Sequence, residues 1–494
     1  MICVSIGRGR HRHMIAEHQH LVEQGAELIE LRVDYINGDV NLKRLLADKV
    51  GPVIITCRRQ QDGGKWAGSE EARLMLLRTA IAEGVDYVDM EEDIANQIPR
   101  FGKTKRIISL HDFTKTPENL TEIHQRLAAL DADVVKIATM ANTPHDNLRM
   151  LQLMQNADTP TVALCMGEMG TPSRILAGKF GAPFAFSTFH HERTLAPGQL
   201  SFAEMTEIYH FESINAETEV YGVIADPIGH TLGPIIHNAA FRHLEMNRVY
   251  VPFRVPREEL TQFLEDARPL DIKGISVTIP HKETIIPLLS KIDGAVRGIL
   301  ACNTVTVEPY AMVGYNTDFR AAMSCIDRAV NVSSSEAPLD DKTAMVLGAG
   351  GVAKAVTFGL KRRGAEIIIS SRTPERAEGL AHLFECRSVP WNNRHSIIPD
   401  ILVNGTPVGM HPNVDESPFD KHHLRPSTVV FDTVYNPEQT LLIKEARERG
   451  CTAITGVEMF VRQAGNQFEL FTGETAPMDI MRGALKRSTG AVKH

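Results

Sequence analysis

The chain has no apolar run approaching the roughly 18 residues needed to cross a bilayer, which removes a transmembrane helix from consideration. Its opening, MICVSIGRGRHRH, has too short an apolar stretch for a secretory signal and no small-residue cleavage site. It also lacks any CxxC pair. The seven cysteines (Cys3, Cys57, Cys165, Cys302, Cys325, Cys386 and Cys451) are scattered and odd in number. That pattern points to reduced, mostly structural thiols and a cytoplasmic protein. Positive charge is not in excess: the net charge is −8 and the pI is near 6.2. A nucleic acid or a membrane surface is therefore not the expected partner, although local arginines can still receive a small anionic substrate. No low-complexity segment and no repeat between the halves is found. The histidines at 11, 13, 18 and 20 have no cysteine or carboxylate cage beside them, so no metal is expected and His11, His13, His18 and His20 read as solvated helix and loop positions.

What is present is length and rhythm. At 494 residues the chain exceeds the size at which one core stops growing, so two or three domains are expected. Hydrophobic content of 43% and charged content of 23% are ordinary for a globular protein. Residues 1–200 repeat a short apolar run, a turn signal and a helical stretch. The runs are MICVSIG, LIELRVD, PVIITCR, YVDMEED, KRIISLHDF, ADVVKIATM, TPTVALCMG and PFAFSTF. Eight strands separated by helices predict an α/β architecture opening with a closed (β/α)8 TIM barrel over 1–212. The polar stretch SINAETE (213–219) reads as a linker. A second series follows: VYGVIADP, IKGISVTIP, CNTVTVE, TAMVLGAGG, AEIIISS, DILVNGTP and TVVFDTVYN. It predicts an open doubly wound sheet in two lobes, 219–330 completed by 466–494, and 340–465, joined by the polar run 331–341.

Charged residues sit at the ends of the predicted barrel strands, where barrel enzymes place their chemistry. Glu30 and Arg32 lie on one side of their strand, Arg58 ends the third, His111 the fifth, and Lys136 falls within VVKIA. A lone lysine or histidine there has an ordinary structural explanation. Together on adjacent strands they make a nucleophile and an acid/base, because desolvation favours a neutral amine able to attack a ketone.

The segments ELRVD, SLHDF-KTP, VVKIA, MGxxGxxSRI and APGQ resemble type I 3-dehydroquinate dehydratase over 1–205. The resemblance implies Lys136 as the Schiff-base lysine and His111 as general acid/base. It implies Glu30, Arg32, Arg58, Arg174 and Gln199 as substrate ligands, and Asp62 as the acidic partner of His111. Two positions depart from the family: Asp62 stands where Glu is usual, and Leu195 where Ser is usual.

In the second half VLGAGGVAKA carries Gly348, Gly350 and Ala353 in a GxGxxA pattern between a predicted strand and helix, which suits a pyrophosphate at the helix N-terminus. The next strand ends in Ser371-Arg372-Thr373, with Arg376 beyond, where an NAD site would carry an acid. Arg372 and Arg376 suit the 2′-phosphate of NADP. VTIPHKE, CNTV, YNTDF, NGTPVGM, FDTVYNP and GVEMFVRQA are similar to shikimate dehydrogenase over 219–494. That resemblance implies Lys282 and Asp318 as the catalytic pair. Thr231, Thr278, Asn303, Thr317, Tyr435 and Gln463 become substrate ligands, with Ala349, Gly351, Val352 and Gly456 also at the cofactor. The family's SxSP reads Thr231-Leu232-Gly233-Pro234, so one hydroxyl is missing. The implied function is conversion of 3-dehydroquinate to 3-dehydroshikimate and then, with NADPH, to shikimate. Two alternatives stay open: a quinate dehydrogenase in the second half, and a metabolite sensor of the same ancestry.

Overall fold

The structure is a computed structural model that describes residues 1–47, 49–229, 231–330 and 338–490. Residues 331–337 of the expected inter-lobe run lie outside the described residues. No described helix is long and apolar enough to cross a membrane.

All eight predicted barrel strands form: β1 (Ile2–Ile6), β2 (Leu28–Arg32), β3 (Val53–Thr56), β4 (Tyr87–Glu91), β5 (Lys105–Asp112), β6 (Val134–Met140), β7 (Thr161–Met166) and β8 (Ala185–Thr188). They pair in parallel in the order β7-β6-β5-β4-β3-β2-β1-β8, a near-closed barrel. The continuous apolar runs arise because strand and helix layers bury both faces of the sheet. The register sets Lys136 opposite Ser109, Thr56 opposite Asp89 and Ser5 opposite Glu30, so polar side chains stack inside the barrel.

The second sheet contains β9 (Glu219–Ala225), β10 (Arg248–Arg254), β11 (Ile272–Val277), β12 (Lys291–Ile292), β13 (Thr304–Val307) and β14 (Met312–Tyr315), in the order β10-β9-β11-β13-β14-β12. It differs from the expected doubly wound sheet, because β13 runs antiparallel to β11 and to β14. β10 is absent from the sequence reading. It carries Pro252, and a proline without an N–H is tolerated because β10 is an edge strand. The third sheet has β15 (Thr343–Leu347), β16 (Glu366–Ser370), β17 (Arg387–Ser388), β18 (Ile401–Asn404), β19 (Val429–Asp432) and β20 (Thr452–Ile454). Its all-parallel order, β17-β16-β15-β18-β19-β20, is that of the dinucleotide-binding fold.

The chain forms two compact units, 1–234 with 245–272, and 235–244 with 273–494. The stretch 213–219 is therefore internal to the first unit, and it does not run free. Lys179 Nζ donates to Ala216 O at 2.9 Å, Thr218 O at 2.8 Å and Asp271 Oδ2 at 3.0 Å. Thr218 Oγ1 donates to Asn247 at 2.6 Å. His145 faces Asp266 at 2.9 Å. A low-conformation polar string on paper becomes a fastened crossing because its carbonyls meet one largely buried ammonium. Lys179→Met should lower the stability of this unit by about 1–3 kcal/mol. Urea unfolding followed by circular dichroism checks it, and an unchanged midpoint would show that the crossing is held by other contacts.

Candidate active sites

Glu30, Arg32, Arg58, Asp62, His111, Lys136, Arg174 and Gln199 line one cavity at the C-terminal end of the barrel, with Ser5, Phe113, Phe186 and Leu195. The sequence placed these side chains on separate strands and loops, and the barrel brings them together. Lys136 is buried, but its setting is not the apolar one that its neighbours in sequence suggest. Its Nζ donates to Asp89 Oδ2 at 2.9 Å, lies 3.8 Å from Glu30 Oε1 and sits 4.0 Å from the centre of the Phe186 ring. Val135 and Ile137 face outward, while Lys136 points inward with Val134 and Ala138, and at its level of the barrel it meets carboxylates.

Asp89 is the residue missed in sequence. It accepts from Ser109 Oγ at 2.6 Å and pairs with Arg58 Nη2 at 2.9 Å. Burial pushes its carboxyl up, but the cations Arg58 and Lys136 outweigh that and hold it well below the usual carboxylate range. Arg58 Nη1 also binds Glu91 at 2.8 Å and Ser109 at 2.9 Å, and fully buried Arg73 reaches Glu91 Oε2 at 2.6 Å. The signal was available: Asp89 and Glu91 alternate in YVDMEED exactly as Glu30 and Arg32 do in LIELRVD.

Three expectations change in the barrel, two of them at this cavity. Asp62 does not orient His111; its Oδ2 accepts from Arg59 Nε at 2.6 Å, and Arg59 bridges onward to Asp93 at 2.6 Å. The Nδ1 of His111 is buried with no hydrogen-bond partner among the described residues. Gln199 does not present a free amide, since Nε2 donates to Ser187 O and Oε1 accepts from Leu195 N, both at 3.0 Å, which staples the loop after β8. His18 is buried rather than solvated, with Nε2 2.8 Å from Val50 O. Arg32 is held in a two-pronged grip by Asp34 at 2.9 and 2.8 Å. Arg174 differs from every other arginine here. It is buried, its Nε has no partner, and its one hydrogen bond is Nη2 to Pro197 O at 3.3 Å. Burial pushes its guanidinium down to about 10. A desolvated cation without a counter-ion is a receptor for an anion.

In the second unit Lys282 Nζ donates to Asp318 Oδ2 at 2.5 Å, with both side chains mostly buried. Asp318 stands in the first turn of the helix Thr317–Ala329, which Asn316 caps by accepting from Phe319 N at 3.1 Å. Asn303 Oδ1 accepts from Thr317 N at 2.8 Å, and its Nδ2 donates to Thr317 Oγ1 at 2.9 Å. Thr317 therefore keeps its own proton to donate. Gln467, also missed in sequence, binds Ser276 Oγ at 2.9 Å, Asn303 O at 3.1 Å and Thr304 Oγ1 at 3.1 Å, so the helix Gly456–Thr472 braces β11 and β13. Thr278 and Gln463 are half-buried, and Tyr435 stacks on Phe460 with centroids 4.5 Å apart. In the first unit Thr231 Oγ1 lies 3.4 Å from Gly233 N.

The glycine turn follows β15. Gly348 has φ +104°, and a side chain there would fall 2.7 Å from Gly405 O, so only glycine fits. A side chain at Gly350 would meet nothing, and one at Gly351 would approach Lys282 Cδ at 3.2 Å, which sets the turn beside the Lys282–Asp318 pair. Ala349 and Val352 pack on the lobe's core, so these positions offer backbone only, and Ala353 is buried. At Gly456 a Cβ would meet Val434 O at 2.2 Å. Beyond β16, Ser371 Oγ accepts from Thr373 N at 3.3 Å, while Arg372 and Arg376 are exposed and take part in none of the ion pairs among the described residues. An open turn at a helix N-terminus flanked by two available guanidiniums fits a dinucleotide carrying an extra phosphate.

The type I 3-dehydroquinase family matches residues 2–216, and the shikimate dehydrogenase substrate binding domain matches 223–305. The shikimate 5′-dehydrogenase C-terminal domain matches 456–486, and the NADP oxidoreductase, coenzyme F420-dependent, family matches 343–434. The chain is 37% identical to the chloroplastic bifunctional 3-dehydroquinate dehydratase/shikimate dehydrogenase of Arabidopsis thaliana, over 97% of this chain and 83% of that one. It is 41% identical to the shikimate dehydrogenase (NADP(+)) of Methanopyrus kandleri over 55% of this chain and 97% of the relative. A crystal structure of shikimate dehydrogenase in complex with NADP+ superposes with a TM-score of 0.52, at 36% identity, covering 56% of this chain and 97% of that one.

Burial first, then the cations Arg58 and Lys136, hold the His111 imidazole well below its ordinary 6.5. His111 should therefore stay uncharged as the pH falls through 6.5, and NMR titration of its ring checks this. The sign for stability follows. Below 6.5 the unfolded chain takes up a proton that folded His111 refuses, so this residue makes the fold less stable on acidification.

Proposed function

The chain belongs to the bifunctional 3-dehydroquinate dehydratase/shikimate dehydrogenase family, and on that premise we propose which residues carry each reaction. It is a shikimate-pathway lyase and NADP-dependent oxidoreductase acting on small molecules. The cytoplasmic setting proposed for it rests on seven free thiols.

For the dehydratase, the carrying observation is one cavity holding a buried lysine, an unpartnered neutral histidine and an uncompensated arginine. Arg174 receives the carboxylate of 3-dehydroquinate. Lys136 Nζ passes its proton to neutral His111 and adds to the ketone carbon; His111 returns that proton to the resulting hydroxyl, which leaves as water and gives the protonated imine. Asp89, 2.9 Å away, is the counter-ion that is already in place. Neutral His111 removes the proton from the carbon beside the imine, and the electron pair moves onto nitrogen as an enamine. The enamine then expels the β-hydroxyl, which leaves as water with the proton from His111. Water hydrolyses the imine, releasing 3-dehydroshikimate and the free amine.

For the dehydrogenase, Gly348, Gly350 and Gly351 would hold the NADP pyrophosphate, and Arg372 with Arg376 the 2′-phosphate. NADPH supplies a hydride when bound. Lys282 holds a proton at the substrate's carbonyl oxygen as charge develops there, and Asp318 at 2.5 Å aims that ammonium. The hydroxyl of Thr317 is oriented for the substrate by Asn303. The quinate alternative turns on the hydroxyl that Gly233 lacks. A Cβ there would lie 3.0 Å from Tyr250 Cε1 and 3.3 Å from its hydroxyl, so Tyr250 stands close on that side, which speaks for shikimate over quinate.

Borohydride with 3-dehydroquinate should trap a covalent adduct on Lys136, seen by peptide mapping; an adduct on another residue would overturn the Schiff-base assignment. Arg372→Ala should weaken NADP by about 10- to 150-fold while leaving NAD nearly unchanged, as expected from losing a charge-assisted phosphate contact. Fluorescence titration with both nucleotides measures the difference, and an equal loss for the two would remove Arg372 from the phosphate site.

A further inference from the structure

The turn after β7, Glu168–Gly170, faces two ways. On the barrel side it is tied to the loop after β8: Gly167 N donates to Pro197 O at 3.1 Å, the carbonyl that also receives Arg174. On its other side Glu168 Oε2 lies 3.3 Å from Arg254 Nη1, at the end of β10. Arg254 Nε in turn donates to Asp226 Oδ1 at 2.9 Å, just past β9. Asp226 opens the loop that carries Thr231 and ends at Gly233. The Oε1 of Glu168 also packs against that loop directly, 2.9 Å from where a Cβ of Gly229 would be. The guanidinium of Arg254 is thus shared between a barrel carboxylate and a carboxylate of the substrate loop. Glu168 does not line the dehydratase cavity, so catalysis there gives no reason for the residue.

We propose that Glu168, a residue of the dehydratase barrel, is a positioning residue of the dehydrogenase: through Arg254 and Asp226 it fixes the loop that presents Thr231 to the second substrate. The proposal rests on the reading of Thr231 as a substrate ligand. Glu168, Arg254, Asp226 and Thr231 all lie within the first compact unit. The ion pairs are partly exposed, with side-chain exposures of 37% for Arg254 and 40% for Glu168, so each is expected to act as a modest restraint rather than as a pillar of the fold.

The test uses the full chain with each reaction assayed separately. Glu168→Gln should raise KM for shikimate about 2- to 5-fold, the effect of one partly exposed ion pair, with kcat, KM for NADP and both dehydratase constants unchanged. Glu168→Asp should recover part of the loss. Arg254→Gln should raise the same KM, and adding Glu168→Gln to it should raise it little further, because the two share one interaction. An unchanged shikimate KM in Glu168→Gln, additive effects in the pair, or a parallel loss of all constants in both reactions would each overturn the proposal. Thr231→Val separates it from the underlying reading. If that variant raises shikimate KM while Glu168→Gln does not, only the positioning role falls. If Thr231→Val itself leaves KM unchanged, the ligand reading falls and takes the proposal with it.

Discussion

Burying ionised groups inside a barrel is tolerable only if they neutralise one another, and that constraint shapes the first half of this chain. Lys136, Arg58 and Arg73 interleave with Asp89, Glu91 and Glu30, each at hydrogen-bond or close ion-pair distance from a partner. Removing one member of such a set leaves a buried charge uncompensated, at a cost of about 3–5 kcal/mol. The lattice therefore does more than hold strands together. It holds a lysine in a buried cavity with its counter-ion Asp89 already desolvated and paired, which is what the proposed iminium would need. The energy of organising that charge is spent in folding rather than during the reaction.

Against this balanced background the imbalances identify the chemistry. Arg174 has no carboxylate, and His111 has a nitrogen with no partner, although both line the same cavity. Each is unfavourable in the free protein, and in the proposed reaction each would be relieved by a substrate that brings a carboxylate and an acidic C–H. The second site follows another strategy. Its cation, Lys282, is already paired with Asp318, and its anion-binding capacity comes from backbone at an open glycine turn and from guanidiniums left exposed at the end of β16. On the proposed assignments a large, highly charged cofactor would be gripped at the rim, and a small substrate carboxylate in the interior by a single arginine.

Much of this was legible in the sequence, for a reason that is local. The period of two in a strand and the chemistry of a glycine turn act over a few residues, so all eight barrel strands and the strand–turn–helix at Gly348 could be read directly. The same rule read Glu30 and Arg32 as neighbours on one face and found Lys136 and His111 on adjacent strands. Applied to YVDMEED it would have found Asp89 as well. The strand β10 was hidden by Pro252, whose cost depends on whether the strand lies at an edge, and strand order is not a local property.

What only the tertiary structure decided concerns partners far apart along the chain. Sequence put Asp62 with His111, but the fold gives it to Arg59; it made Lys136 apolar in setting, but Asp89 lies 47 residues away and 2.9 Å distant. It treated 213–219 as a free linker, and Lys179 pins it. It showed a hydroxyl missing at Gly233, and only the fold places Tyr250 beside that position. By itself the sequence determined which groups exist and on which face of which element each one stands, because those follow from the backbone's own periodicity. Which charge neutralises which, and which is left waiting for a ligand, was decided by register and strand order, because electrostatic pairing depends on distance in space and has no period along the chain.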